Sequence, residues 1–250
     1  MFASKTGGRA VPVEGRAGVV TALVPKGGQA ERVAVYLDGR FALELAGVVA
    51  GEAGLSRGDV LGEERQTLLL ERDAGYRAQD LALSMLARRE LSRREVAAKL
   101  QQAGLGDEVV EGTLSWLEER GYVDDRRFAS AYMGERLKAG WGRRRIAAEL
   151  LKKGVAGEIV RGEAWDEVLQ EQGLSSEGEA AVALARKRFG GLLAADPETG
   201  KRRLAGFLAR RGHDWEDIAK ITRLVCADVD STSGVRESRT GVGEGERRGR

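Results

Sequence analysis

The 250-residue chain carries 41 basic and 39 acidic residues, and this net charge of +2 excludes a strong overall positive field as the source of nucleic-acid binding. Aromatic residues make up only 5% of the chain, so several small modules fit the composition better than one large core. The single cysteine, Cys226, excludes an internal disulfide, fits a reducing compartment and is expected to be buried. No apolar run approaches about 18 residues and no signal peptide opens the sequence, so we expect a soluble, cytoplasmic protein without a membrane segment.

The first part of the chain predicts a small α+β domain. Residues 1–16 are rich in glycine and charge and are expected to be disordered, and the domain follows at 17–75. Three apolar segments predict a hairpin or meander at 19–25, 32–38 and 41–45, the first rich in β-branched residues and the other two alternating, with a tight turn at Asp38-Gly39. The side chains expected to face inward are Val33, Val35, Leu37, Phe41, Leu43 and Leu45. Two helical segments, 47–55 and 63–72, are expected to cover this face.

A ten-residue pattern then occurs three times in a region that is helical throughout. An aliphatic residue is followed four positions later by leucine and four positions after that by glycine, at 96/100/104, 146/150/154 and 204/208/212. The first two positions share one helix face, and the glycine stands where a left-handed residue ends a helix. Repeats spaced 50 and 58 residues apart indicate duplication of a small helical unit.

The predicted fold is therefore mainly α, a tandem array of three three-helix modules behind the small N-terminal α+β domain. The module boundaries are expected at 78–125, 126–172 and 177–229, and residues 230–250 are expected to be a disordered tail. Helix starts are predicted from a capping box at Ser92–Glu95 and from Asp107, Asp124, Asp196-Pro197 and Asp214. Trp116 and Trp215 lie in periodic helices and are expected in the core.

Charge is distributed unevenly over the predicted modules. Residues 78–125 have a net charge of −4, whereas residues 126–160 and 186–211 each have a net charge of +6. Arginines near helix starts oppose the helix dipole, which indicates a negatively charged ligand, with a solvated charged face as the open alternative. Basic residues near helix ends, at 152–153 and 210–211, are favoured by the dipole without any ligand.

The candidate contact residues are the densest basic groups together with one tryptophan. Trp141 lies between two glycines, where it either stacks on a base or packs between modules, and packing is favoured. Charge reversal at Arg143–Arg145 is expected to abolish function and leave the fold intact. The candidates are Arg143, Arg144, Arg145, Lys152, Lys153, Arg186, Lys187, Arg188, Lys201, Arg202, Arg203 and Trp141.

The sequence resembles the RecX family of RecA regulators over about residues 17–228. The resemblance is strongest at 114–137, which holds a glycine, an aromatic, an aliphatic and two aspartates followed by Arg-Phe-Ala, and again at 196–213. The N-terminal part is similar to the β-containing domain of longer family members. The positions that carry the first motif are Gly121, Tyr122, Val123, Asp124, Asp125, Arg127, Phe128 and Ala129.

This resemblance implies a binding regulator that lies in the groove of the RecA–DNA filament and bridges its protomers. Such a protein inhibits or remodels the filament, and thereby damps homologous recombination, DNA repair by strand exchange and the SOS coprotease activity. The resemblance implies no catalytic residues. Non-specific contact with single-stranded or double-stranded DNA is expected as a secondary activity, and a monomer is expected.

Two other classes of function are alternatives to this one. Three-helix modules with a basic middle helix resemble helix-turn-helix DNA readers, although the chain contains no Asn for adenine contacts. An enzyme is disfavoured because the only histidine, His213, follows a helix-ending glycine and no metal-ligand spacing occurs. The Asp124-Asp125 pair is interpreted as a helix start, and neither a metal nor another cofactor is expected.

Overall fold

The computed structural model describes residues 16–27, 32–161, 164–174, 176 and 178–237. The chain divides into two compact units, with the boundary between Val123 and Asp124. The expected disordered N-terminus lies outside the described residues except for Arg16, and so does the expected tail from residue 238 onward.

A four-stranded antiparallel sheet forms the beginning of the first unit. Its strands are β1 (Gly18–Lys26), β2 (Arg32–Leu37), β3 (Arg40–Ala46) and β4 (Val60–Leu61), in the order β3-β2-β1-β4. The first three strands confirm the sequence prediction, and the Asp38-Gly39 turn between β2 and β3 has φ angles of 48° and 80°. Strand β4 was not predicted, because two residues are too short to show an alternating pattern.

The inward face was predicted correctly except at Phe41. Val35 pairs with Leu43, but the next pair is Tyr36 with Phe41, so β3 has one extra residue, Ala42, at this point. The extra residue moves Phe41 to the outer face, where its ring lies 6.0 Å from that of Tyr36. Phe41 is 41% exposed as a result, and the prediction that it faces the core is wrong.

One long helix belongs to both the sheet domain and the first module. After the short helix α1 (Gly47–Glu52), helix α2 runs unbroken from Glu63 to Leu86. Near its start Leu69 packs against the sheet, whereas further along Ala78 and Ala82 belong to the core of the first module. The expected boundary between 17–75 and 78–125 therefore falls inside a continuous helix.

A buried aspartate fastens helix α2 to the sheet. Asp73 is 3% exposed, and its Oδ1 accepts hydrogen bonds from the backbone N–H of Ala46 at 2.6 Å and from the Arg32 guanidinium at 2.8 Å. Arg32 also donates to Glu44, whose pKa is lowered mainly by its hydrogen bond with Lys26 and further by Arg32. These bonds compensate the cost of removing a carboxylate and a guanidinium from water.

Replacing Asp73 with alanine is expected to destabilise the first unit by about 3 kcal/mol, because it leaves the buried Ala46 N–H without its acceptor and removes one of the two carboxylates paired with the Arg32 guanidinium. Chemical denaturation followed by circular dichroism measures this loss. The matched control is Asp80→Ala on the exposed side of the same helix, which is expected to change the free energy of unfolding by less than about 0.5 kcal/mol. Equal effects of the two substitutions would show that Asp73 does not hold the sheet.

The remaining helices form three modules, each with its own core, as predicted. The first module combines α2 with α3 (Arg93–Gln102) and α4 (Asp107–Glu119). The second contains α5 (Asp125–Lys138), α6 (Arg143–Lys152), α7 (Gly157–Arg161) and α8 (Ala164–Glu171). The third contains α9 (Glu179–Ala195), α10 (Pro197–Arg210) and α11 (Trp215–Glu237). The single helix expected at 157–171 is thus described as α7 and α8, with residues 162 and 163 outside the described part.

The threefold pattern corresponds to three identical helix ends. Gly104, Gly154 and Gly212 have φ angles of 83°, 86° and 84°. After each glycine, the next backbone N–H donates to the carbonyl of the repeat leucine, which is the Schellman arrangement. The donor–acceptor pairs are Leu105 to Leu100 at 3.3 Å, Val155 to Leu150 at 3.1 Å and His213 to Leu208 at 3.2 Å. The paired core positions Val96/Leu100, Ile146/Leu150 and Leu204/Leu208 are all 0% exposed.

The helix starts predicted at Ser92, Asp124, Asp196 and Asp214 are confirmed by their capping bonds, whereas α4 begins at Asp107 itself, with Gly106 as its N-cap and no side-chain capping bond. The Ser92 hydroxyl accepts from the N–H of Glu95, and the Glu95 carboxylate accepts from the N–H of Ser92. Asp124, Asp196 and Asp214 each accept from backbone N–H groups in the first turn of α5, α10 and α11.

Helix α11 begins after Asp214 as predicted, but the burial of its first residue and the position of its C-terminal end differ from the sequence prediction. Trp215 is its first residue and is 79% exposed, because the side chain at this position projects away from the module core. The prediction that Trp215 belongs to the core is therefore wrong, whereas Trp116 does pack against the core of the first module. At the other end, α11 continues past Val229 to Glu237, into the segment expected to be a disordered tail.

Candidate functional site

All twelve candidate contact residues lie in the second unit, on three helices and one loop. Helix α6 carries Arg143, Arg144, Arg145 and Lys152, and Lys153 caps its C-terminal end. Helix α9 carries Arg186, Lys187 and Arg188, helix α10 carries Lys201, Arg202 and Arg203, and Trp141 lies between α5 and α6. The structure brings some of these residues together and engages others in internal contacts.

The loop between α5 and α6 is hydrogen-bonded to the C-terminal end of α10. Backbone groups, two arginine side chains and the histidine all contribute, so the second and third modules are joined at this junction. Its bonds run from Gly142 N–H to Arg211 O at 2.8 Å, from Arg145 Nη1 to Arg210 O at 2.7 Å, from Arg211 Nη1 to Ala139 O, and between His213 Nε2 and Gly140 O at 3.1 Å.

Two glycines allow this close approach. A Cβ on Gly142 would lie 2.5 Å from the carbonyl carbon and oxygen of Gly212. A Cβ on Gly212 would collide with Arg145, and Gly212 also has the left-handed φ of 84°. The third copy of the repeat glycine therefore has a second role, since it permits module contact as well as ending a helix.

Replacing Gly212 with alanine is expected to destabilise the second unit by about 3 kcal/mol, from left-handed strain and from overlap with Arg145. Gly104→Ala is the matched control, because Gly104 has nearly the same φ of 83° and, apart from its adjacent residues, no described residue within 4 Å of its Cβ position. The control is expected to cost about 1 kcal/mol. Chemical denaturation and hydrogen exchange of the Gly142 N–H measure the difference, and equal losses would contradict a tight junction.

Trp141 packs inside this junction. Its ring centroid lies 4.1 Å from the Arg145 guanidinium and 4.9 Å from that of Arg136, and the side chain is half-buried against the core of the second module. These contacts are those expected if Trp141 packs between modules. Its role as a base contact remains a prediction. Arg145 likewise has internal bonds to Arg210 and an aromatic neighbour.

The other candidates on α6 differ in how far they are engaged within the protein. The Arg143 guanidinium lies 4.8 Å from the ring centroid of Trp165, and Lys153 lies over the rings of two aromatic residues of α5. Lys152 Nζ is 3.9 Å from the Glu149 carboxylate. Arg143, Arg144 and Arg145 are all exposed, but within the described residues Arg144 has no such internal contact, so it is the α6 candidate best placed to meet a partner.

A basic depression, which we call the arginine groove, lies between α9 and α10. It has a volume of about 540 Å³, and none of the described residues that line it is acidic. Its guanidinium groups belong to Arg188, Arg202, Arg203 and Arg210, and its remaining lining residues are Phe189, Leu192, Gly206 and Phe207. Three of these arginines were predicted from charge density.

Arg210 has no role predicted from sequence, because a basic residue at a helix end is already favoured by the helix dipole. A signal for it does exist, since Arg202, Gly206 and Arg210 follow one another at four-residue steps and so share a face of α10. Arg186, by contrast, is ion-paired with Asp228, Lys201 Nζ lies 3.2 Å from Glu198, and Lys187 is exposed outside the groove.

The positive charge of the groove continues toward the junction through Arg211. Its guanidinium lies 4.6 Å from the Phe207 ring centroid, and Arg188 lies 5.3 Å from the same centroid. The pKa of Arg211 is lowered, first by removal from water and then by the like charges of Arg188 and Arg145. The groove is therefore a region where an anion would relieve repulsion between cations.

Comparison with known proteins identifies the family. Residues 78–117, 124–162 and 176–222 match the family models for the first, second and third three-helix domains of RecX, and together these segments cover about half of the chain. A Regulatory protein RecX from Halorhodospira halophila is 36% identical over 161 residues, which cover 64% of this chain and 94% of the relative.

The chain belongs to the RecX family.

Other members are similar over most of their length. A Regulatory protein RecX from Clostridium acetobutylicum is 27% identical over 204 residues, covering 79% of this chain and 92% of the relative. A solved structure titled "Crystal structure of regulatory protein RecX" shares the fold, with a TM-score of 0.60, 20% identity, and coverage of 82% of this chain and 99% of that one. RecX proteins are regulatory proteins by name, and this chain has the same modular architecture.

The RecX domain matches place both parts of the candidate site within family domains. The arginine groove lies within the segment matched to the third domain, and α6 lies within the segment matched to the second. In the described part of the chain, no group of three or more His, Cys, Asp or Glu side chains could hold a metal ion. Among the same residues, no helix is long and apolar enough to span a membrane.

Proposed function

We propose that this RecX-family chain regulates the RecA recombinase by docking in the groove of the RecA–DNA filament and inhibiting or remodelling it. It thereby damps recombination and the SOS coprotease activity. The regulator acts by binding, as a cytoplasmic monomer, and uses no catalytic residue. DNA in the filament is a secondary, non-specific contact.

The observation that carries this proposal is the hydrogen-bonded junction between two basic RecX modules. Because the junction fixes α6 and α10 relative to each other, Arg144 and the arginine groove are presented in one arrangement before any partner binds. A binding surface that is already ordered loses less entropy on association. This supports docking along a repetitive, charged polymer more than capture by a flexible basic segment.

The same geometry gives less support to a helix-turn-helix protein that reads base sequence. In that class, residues at the start of the recognition helix contact base edges. At the start of α6, Arg143 lies over Trp165 and Arg145 donates to the Arg210 carbonyl, so two of the three arginines have contacts within the protein. All three arginines are exposed, and Arg144 is the one that has neither of these contacts.

Adding the purified protein to preformed RecA filaments on single-stranded DNA is expected to lower the rate of ATP hydrolysis with increasing dose. The physical reason is that a ligand in the filament groove blocks growth or promotes loss of the RecA protomers that hydrolyse ATP. A coupled assay of ATP turnover measures the effect. Unchanged turnover at a protein concentration equal to that of RecA would contradict the proposal.

Arg144→Glu is expected to raise the concentration needed for half-inhibition roughly tenfold, which corresponds to about 1.4 kcal/mol of binding energy. Arg144 is preferred to reversal of all three arginines, because reversing Arg145 would also break its bond to Arg210. The matched control is Arg72→Glu on helix α2, an exposed arginine in the first unit with the same change of charge. Equal losses from the two variants would show that overall charge, rather than the α6 surface, determines inhibition.

A further inference from the structure

We propose that the arginine groove binds the phosphodiester backbone of a DNA strand. This inference extends the proposed function by naming the DNA contact. It rests on the proposed function only in taking the RecA filament as the source of the DNA strand. The groove is assigned as the place where the third module contacts DNA directly, through Arg188, Arg202, Arg203 and Arg210.

The spacing of the arginines fits a run of phosphates. Arg203 and Arg210 are seven residues apart on α10, which places them about 10 Å apart along the helix axis. Phosphates of one DNA strand recur about every 3.4 Å along a duplex axis, so this distance spans about three of them. Gly206 lies between the arginines and leaves the groove open, while Arg188 contributes charge from α9.

The charges of the groove are available to an external anion. Among the described residues, no carboxylate forms an ion pair with Arg188, Arg203 or Arg210, and the carboxylate of Asp196, which Arg202 influences, already accepts from the Thr199 N–H at 3.1 Å. Three arginines elsewhere in the chain, by contrast, form ion pairs with carboxylates. The pairs are Arg32 with Glu44 and Asp73, Arg93 with Glu111 and Glu118, and Arg186 with Asp228. An anion can therefore enter the groove without breaking an internal ion pair.

The shape of the groove favours phosphates over an acidic peptide. An amphipathic acidic peptide needs exposed apolar surface for its hydrophobic side chains. Phe189 and Phe207 are only 9% and 8% exposed, and guanidinium groups lie over the Phe207 ring. What the groove presents is planar guanidinium groups, whose paired donors match the oxygens of a phosphate.

The test measures binding of a fluorescent oligothymidylate of about 20 nucleotides to the full chain, without RecA, over a range of salt concentrations. Arg202→Gln combined with Arg203→Gln is expected to weaken binding on the order of tenfold. It is also expected to reduce the slope of log K against log salt by about 1.4, because each lost phosphate contact on a single strand removes about 0.7. The control pair, Arg57→Gln with Arg72→Gln, removes the same charge from exposed positions of the first unit and is expected to leave the slope unchanged.

A second variant, Gly206→Met, fills the groove without changing the charge. It is expected to weaken oligonucleotide binding while circular dichroism shows the helices intact, since methionine is a better helix former than glycine. The proposal is overturned if either groove variant binds like the unmodified chain, or if the control pair lowers the slope equally. It is also overturned if polyglutamate at equal charge concentration displaces the oligonucleotide as well as unlabelled oligothymidylate does, since the groove would then prefer an acidic peptide.

The assay also separates this inference from the proposed function. Groove variants that keep oligonucleotide binding but lose inhibition of RecA would leave the filament proposal in place and overturn the assignment of the groove to DNA. If the unmodified chain binds the oligonucleotide through the groove and yet leaves ATP turnover on RecA filaments unchanged, the filament proposal fails and the groove stands.

Discussion

The modules depend on one coupling between backbone and side chain, which is repeated three times. The leucine four residues before each helix-ending glycine supplies the carbonyl that accepts the Schellman bond, and the same leucine is completely buried. The end of the helix and the position of its core residue are therefore fixed together. If the glycine stood one residue earlier, the Schellman bond would go to the carbonyl of the preceding residue, and the helix end would no longer be tied to the buried leucine.

The third copy shows how a repeated element acquires a new contact. The residue after the glycine is aliphatic in the first two copies, as the Schellman motif favours, but it is His213 in the third. The buried imidazole lies within hydrogen-bond distance of the Gly140 carbonyl in the neighbouring module. Together with Gly142 and Gly212, this change converts a helix end into a junction between modules, and the junction positions the basic residues of α6 and α10.

Patterns among neighbouring residues predicted most of the fold. Features that depend on contacts between residues far apart in the sequence were not predicted. Strands, caps and helix ends follow from neighbouring residues, so Asp38-Gly39, the Ser92 capping box and the repeat glycines were predictable. Phe41 turned outward because of a one-residue register shift between strands, which no local pattern reveals. In the candidate site, charge density found Arg188, Arg202 and Arg203. It could not separate them from Arg145, whose partner lies 65 residues away in the chain.

Helix α2 has a consequence for how this architecture can be cut or exchanged. Its first half covers the sheet and its second half belongs to the core of the first module, so the matched RecX domain and the folded unit do not begin at the same residue. A fragment that begins at the first RecX domain would contain only the second half of helix α2. A fragment that retains all of helix α2 without the sheet would expose the apolar face of the helix to water. It would also leave the Asp73 carboxylate without the Arg32 guanidinium. Loss of the sheet domain therefore requires that the sheet-facing residues of helix α2 change from apolar to polar, and gain of the domain requires the reverse.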